Sequence, residues 1–336
     1  FDVREEREMR CLVRSFGVLC LGLILLSGAA QAASDWPKSP VTVVNCWSPG
    51  GGMDQELLPL KPFLEKELGQ NFLYAYKPGA GGRIGWETIF ANGAKGYTIG
   101  ANSMPHLVNT MLFGKPSYKV SDFAPIAFWS ADVPIWFVRK DSPYKDMNDL
   151  IAAAKKRPGE VTLAIGSFTG EHYITVALIE EQAGVKFRAV NVKGGSKVRS
   201  NILGGHFEVG VSRPGSIIGI KDEIRGLGLA DAKRNPLYPD VKTFDEQLPS
   251  NIKVPHMAST SGILAHRLFK ENDPEGFARL VEAVKNAVHS DGYQAILNRR
   301  GTPLNYMGPD EAEAYTKEMT KLMEQFKPVM ESAKKR

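Results

Sequence analysis

Cysteine is scarce in this chain of 336 residues, which holds three. Two of them, Cys11 and Cys20, sit in an N-terminal stretch that reads as a processing segment. Cys46 is then left alone, so an internal disulfide is excluded, and the rest of the chain is long enough to bury a core without one. Catalytic signatures are missing too. There is no G-x-S-x-G elbow, no H-E-x-x-H pair, no Walker loop and no C-x-x-C. The six histidines (His106, His172, His206, His256, His266 and His289) are scattered without metal-pair spacing. Neither a catalytic residue nor a metal or other cofactor is therefore expected. His172 near Ser167 could be drawn as base and nucleophile, but helix capping or ligand contact is the simpler role. Basic tracts interleaved with aromatics are absent, and the net charge of +5 is spread along the chain, which argues against a nucleic-acid partner. Beyond residue 32 no run is long or apolar enough to span a bilayer.

The N-terminal stretch itself has the layout of an export signal. Met9 is a plausible start, Arg10 and Arg14 give a positive region, Phe16–Leu26 an apolar one, and Ala30-Gln31-Ala32 a small-residue cleavage site. The expectation is a periplasmic protein cleaved near Ala32, with residues 1–32 outside the fold.

The chain beyond that segment is richer in signals. Val41, Val43 and Val44 read as a buried strand, and Ser48–Asp54, SPGGGMD, comes directly after it and opens a helical pattern. Gly50, Gly51 and Gly52 let the backbone turn tightly there. Free amides at such a turn, backed by the helix dipole, form an anion site for a carboxylate or phosphate. The plainer reading is an ordinary strand-to-helix turn.

Short β-rich runs and helical patterns then alternate along the chain. The runs are Phe72–Tyr76, Thr98–Ala101, Ala124–Phe128, Trp136–Arg139, Val161–Ile165, Ala189–Val192, Val209–Val211 and Gly226–Ala230. Helices are predicted over Asp149–Lys156, Glu171–Ala183 and Ser196–Leu203, and from about Pro274 onward. Pro59 and Pro62 are expected to kink or restart the first helix. Alternation of this kind predicts an α/β fold with parallel sheets flanked by helices. Ligands bind at the carboxyl ends of strands in such sheets, and those ends carry Pro78–Gly85, Asn102-Ser103, Gly166–His172, Lys193–Ser196 and Ser212-Arg213.

At these residues the chain resembles the periplasmic solute-binding proteins of tripartite tricarboxylate transporters. Nine fragments occur in the family's order: WPKSPVTVV, SPGGGMD, LGQNFLYAYKPGAGGRIG, GYTI, SDFAPIA, AKKRPGEV, KGGSK, LGGHFEVG and YPDVKTFDE. The resemblance implies a type II periplasmic-binding-protein fold, whose two lobes each hold a mostly parallel sheet flanked by helices and close on a small organic acid. It also implies delivery to a membrane permease and a monomer that opens about a hinge. A receptor that reports to a membrane sensor kinase would share the cleft. Lobe 1 is expected at 33–139 plus 258–336 and lobe 2 at 140–257, with crossings near Arg139–Ser142 and Pro255–Ser261.

Carried over residue by residue, the family's contacts fall on Ser48, Gly50, Gly51 and Gly52, with Asp54 fixing the loop or an ordered water and Trp47 beside them as a candidate wall. Ala80, Gly81 and Gly82 would complete that side, and the strand-end position of Asn102 and Ser103, small polar groups, makes them candidates to bond a ligand oxygen. Ser167, Thr169, His172 and Gly194 would face them from the second lobe. Several positions depart from the family's pattern. Met53 stands where threonine is common, Phe168 where glycine is usual, and Asn191-Val192 where Pro-Tyr is common. Arg213 occupies a strand end that is usually small or acidic. Met53, Trp47 and Phe168 would make the cleft more apolar, unless Phe168 packs inside its lobe. Arg213 would either clamp a second carboxylate or form a surface or lobe-internal salt bridge.

Overall fold

The computed structural model describes residues 34–302 and 304–335, so the expected signal segment lies outside the described residues. Trp36–Arg336 form one compact unit. The first lobe begins with β1 (Val41–Asn45), α1 (Gly52–Leu68), β2 (Phe72–Tyr76), α2 (Arg83–Asn92), β3 (Thr98–Met104), α3 (His106–Phe113) and β4 (Phe123–Asp132). The second holds β5 (Ile135–Arg139), α4 (Met147–Lys156), β6 (Thr162–Ile165), α5 (Glu171–Ala183), β7 (Arg188–Asn191), α6 (Gly195–Leu203), β8 (Val209–Ser212), β9 (Ile224–Leu229) and α7 (Phe244–Gln247). The chain then returns through β10 (Ser259–His266), α8 (Arg267–Asn272), α9 (Pro274–His289), α10 (Asp291–Arg299), β11 (Leu304–Met307) and α11 (Pro309–Lys335).

Two sheets organise these elements, in the orders β11-β4-β10-β3-β1-β2 and β7-β6-β8-β5-β9. Each is parallel on one side, where strand–helix–strand crossovers build it. Each turns antiparallel where the chain crosses or returns, at β10 in the first and β5 in the second. This is the two-lobed type II periplasmic-binding-protein fold. The first crossing comes earlier than the expected Arg139–Ser142, because β5 pairs with β8 and β9 and the chain must change sheet between Asp132 and Ile135.

Central strands are buried on both faces, so they lack the alternation of a half-exposed strand. In β4, FAPIAFWSAD, only Ala131 is not fully buried. β10 is buried throughout although it opens with Ser259, Thr260 and Ser261, and its antiparallel partners β3 and β4 press close on it. A Cβ on Gly262 would lie 2.3 Å from the carbonyl oxygen of Ala127.

Helix α1 runs uninterrupted through Pro59 and Pro62, where a kink or restart was expected. Pro59 has no N–H for the carbonyl of Gln55, and Arg300 supplies one instead, its Nη1 donating to that oxygen over 3.1 Å. The C-terminal α11 packs on β4 and α3 of the first lobe and on α5 of the second, so it braces both. Among the described residues no helix is long and apolar enough to cross a membrane.

Candidate ligand-binding cleft

Helices that start at the mouth between the lobes differ from those that start elsewhere. Away from it, α4, α7, α9 and α10 are capped by the side chains of Asp146, Thr243, Asp273 and Ser290. At the mouth, α1, α2, α5 and α6 begin at Gly51, Gly82, Gly170 and Gly194, none with a side-chain cap. The first turn of a helix leaves backbone N–H groups without partners. Three such ends, at Gly51, Gly82 and Gly194, line one space and turn their positive dipole ends toward it. Gly170 lines no part of it, and the buried carboxylate of Glu171 lies at the start of α5.

That space consists of two adjoining cavities, of about 80 and about 490 Å³, that share Trp47, Ser48, Gly166, Ser167 and Gly194 as walls. Gly51, Gly52, Met53, Ser103, His172 and Arg213 line the smaller one, and Ala80, Gly81 and Gly82 the larger. Trp47 stands edge-on to Trp86 and to His106, with ring centroids 5.6 and 5.7 Å apart.

Asp54 faces the loop, away from the cavities. Its Oδ2 accepts from the Gly50 amide at 2.8 Å, and its Oδ1 accepts from the Tyr76 hydroxyl at 2.6 Å and from Asn45 Nδ2 at 3.4 Å. Gly50, at φ +72°, is held in the left-handed turn by that bond and lines neither cavity. Burial and the Asp54 carboxylate together push the Tyr76 phenol up to about 12. From the second lobe, the Ser167 and Thr169 hydroxyls bond each other at 2.7 Å, and Thr169 Oγ1 donates across to the carbonyl of Gly81 at 3.3 Å. Asn109 Nδ2 donates to the Thr169 carbonyl at 2.8 Å, so the lobes touch here.

Thr169, like Gly50 and Asp54, lines neither cavity, and two further expected residues lie away from the cleft altogether. Asn102 and Ser103 are neighbours on β3 and point to opposite faces. Ser103 reaches the cleft, whereas Asn102 lines a separate cavity behind the sheet. Phe168 packs into the core, edge-on to Tyr173 at 4.8 Å, so it adds no apolar wall.

Arg213 reaches from the end of β8 into the first lobe. Its Nη1 donates to Ser261 Oγ at 3.0 Å and lies 3.5 Å from Glu56 Oε1. Its Nη2 donates to Ser103 Oγ at 3.3 Å and to Ser259 Oγ. Glu56, buried in α1, also accepts from Trp129 Nε1, Ser130 Oγ and Ser261 Oγ. Behind the cleft, the fully buried Glu171 carboxylate sits 3.8 Å from His106 Nδ1 and 3.3 Å from His172 Nε2. Burial alone would raise its pKa, but His172, His106 and Arg213 hold it below the usual value. Burial pushes His106 down to about 4 against the pull of Glu171, and pushes His172 down as well. Among the described residues no cluster of His, Cys, Asp or Glu is arranged to hold a metal ion.

Sequence reasoning missed Glu56, His106, Glu171, Ser259 and Ser261 as neighbours of the cleft. Glu171 directly precedes His172 and could have been noticed. The two serines could not, since their stretch read as a crossing.

Known proteins resemble this chain in sequence and fold. The family model described as tripartite tricarboxylate transporter family receptor matches residues 60–332. BugT of Bordetella pertussis is 26% identical over 312 residues, covering 90% of this chain and 93% of its own. An R. palustris protein solved with adipate superposes with a TM-score of 0.78 at 23% identity, over 88% of this chain and 98% of that one. MatC from Rhodopseudomonas palustris, solved with malate, gives 0.76 at 20% identity, over 88% of this chain and all of its own.

Proposed function

The chain belongs to the tripartite tricarboxylate transporter receptor family, and we propose that it captures a small organic carboxylate between its lobes and hands it to a membrane permease. The observation that carries this reading is the set of three uncapped, glycine-started helices, α1, α2 and α6, around one cleft. Amides that the rest of the fold satisfies with Asp, Thr or Ser caps are left there for a ligand. A carboxylate fits them, since each charge-assisted bond contributes roughly 1.5–3 kcal/mol. Micromolar affinity needs about 8 kcal/mol net, within reach of several such bonds. Malate and adipate, bound by the fold neighbours, are of this class.

In this reading the lobes are 36–132 with 259–335, and 135–257. They open about the two crossings to admit the acid and close on it. Ser48 and the Gly52 and Met53 amides hold a carboxylate from one side, Ser167 and the Gly195 amide, at the helix start set by Gly194, from the other. Ala80, Gly81 and Gly82 shape the larger compartment. Arg213 ties the closed lobes through Glu56 and the serines of β10, and so couples closure to the same cleft.

A thermal-shift screen of the protein against organic acids, amino acids and neutral sugars tests this. Ligand at 100 times its dissociation constant adds about 2.7 kcal/mol, a shift of several degrees. A shift with a di- or tricarboxylate is expected. Silence across the acids, or a shift only with a neutral sugar, would overturn the reading.

A further inference from the structure

A cavity of about 650 Å³ lies behind the first sheet, under α11 and α3 and away from the cleft. Its volume is in the range of small-molecule sites. Its walls are apolar, formed by Leu107, Met111, Val120, Phe123, Phe128 and Leu264. Two features break that apolarity, and they differ in depth. Asn102 lines the cavity and is fully buried, and neither its Nδ2 nor its Oδ1 has a hydrogen-bond partner among the described residues. Buried amides are rarely left so, and this one offers both a donor and an acceptor. Cations ring the opening instead, Lys119, Lys317 and Lys321 exposed and Arg267 half-buried. Of these, Arg267 is engaged by Glu313 and by the carbonyls of Ser121 and Phe123, and Lys317 by Glu313. Lys119 and Lys321 also line it and have no ion-pair partner among the described residues.

We propose that this cavity is a second ligand site, for an amphiphilic monocarboxylate with a hydroxyl or amide group at its far end. The carboxylate pairs with Lys119 and Lys321 at the mouth, the carbon chain or ring fills the apolar walls, and the far polar group bonds Asn102. The strand alternation that puts Ser103 in the cleft puts its neighbour Asn102 here, so one strand serves both sites. The inference is independent of what the cleft binds.

Titration calorimetry with 10-hydroxydecanoate and decanoate tests it. The native protein is expected to bind 10-hydroxydecanoate saturably and at least fivefold tighter than decanoate. The double substitution Lys119→Glu/Lys321→Glu should weaken both at least tenfold, and Thr320→Trp, at the wall, should abolish binding. Asn102→Leu should erase the preference for the hydroxyl while keeping decanoate binding. Should that buried variant fail to fold, the two surface lysines and Thr320 still decide the outcome. Gly51→Asp, in the cleft, should leave all of this within twofold. The proposal is overturned by the absence of saturable binding, by equal affinity for the two acids, or by binding that ignores the lysines. Binding lost in Gly51→Asp would overturn it equally, by assigning the acid to the cleft.

Discussion

Asp54→Ala removes the carboxylate that shapes the SPGGG loop without touching any wall of the cleft. Two short charge-assisted bonds disappear, from the Gly50 amide at 2.8 Å and the Tyr76 hydroxyl at 2.6 Å, with the longer one from Asn45 at 3.4 Å. At roughly 1.5–3 kcal/mol for each short bond, the gross loss is about 3–6 kcal/mol. Both are only part-buried, so water replaces a portion and a net loss of about 2–4 kcal/mol is expected in urea unfolding. Asp54→Asn keeps acceptor oxygen for one of the two donors and should lose about half as much. Affinity for the acid found by thermal shift should fall ten- to a hundredfold in the alanine variant, because the amides are no longer held in place. The Tyr76 phenol should titrate below its native value of about 12, seen as tyrosinate absorbance appearing at lower pH. A variant with native stability, affinity and tyrosine titration would refute the assignment of Asp54 as the brace of the anion loop.

Other outcomes rest on the same contacts. Arg213→Met leaves Glu56 buried without its cation, and should cost about 3–5 kcal/mol. Adding Glu56→Gln should restore much of it, whereas additive losses in the double-mutant cycle would count against the pair. His106, at about 4 in the fold against about 6.5 unfolded, adds stability that is complete above pH 6.5 and is lost as pH falls toward 4. Relative to the native protein, His106→Gln should therefore gain stability on acidification through that window, and parallel pH–stability curves would contradict this. Asp132 works in the opposite direction. Its carboxyl is pushed up to about 7 by burial, so its contribution is complete below pH 4 and is lost as pH rises to 7, which is why the comparison is made within one background. Gly262→Ala places a Cβ 2.3 Å from the Ala127 carbonyl oxygen, between two strands, and should destabilise by about 3 kcal/mol or more. A melting point within a degree or two of native would show that β10 yields more easily than its packing suggests.

Much of this architecture was legible because its signals are local. The alternation of apolar runs with capped helices placed strands and helices to within a few residues, and Gly184 marks the end of α5 where the left-handed cap requires it. The glycine loops were legible for the same reason, since Gly50, Gly81, Gly82 and Gly194 take positive φ values that other residues adopt at a cost. What stayed hidden depends on partners far along the chain. Ser259–Ser261 read as a crossing because polar residues seldom fill a buried strand. They are tolerated there because Arg213 and Glu56, from 46 and 205 residues away, bond them. The sheet membership of β5 comes from its pairing with β8 and β9, about which a run of five apolar-rich residues is silent. Asn102 and Phe168 were misplaced by reasoning at the level of loops. Strand alternation turns Asn102 away from the cleft, and the turn before α5 folds Phe168 inward onto Tyr173.

The most direct measurement is the affinity of the acid found by thermal shift for Gly51→Asp. Gly51 has an ordinary φ of −74°, and a Cβ there would meet only the Ser48 carbonyl oxygen, at 3.3 Å, so the substitution should fold. It sets a negative charge among the amides proposed to hold a carboxylate. Titration calorimetry should show at least a hundredfold loss of affinity with the melting point of the unliganded protein nearly unchanged. Native affinity in that variant would contradict the claim that these helix starts form the carboxylate site.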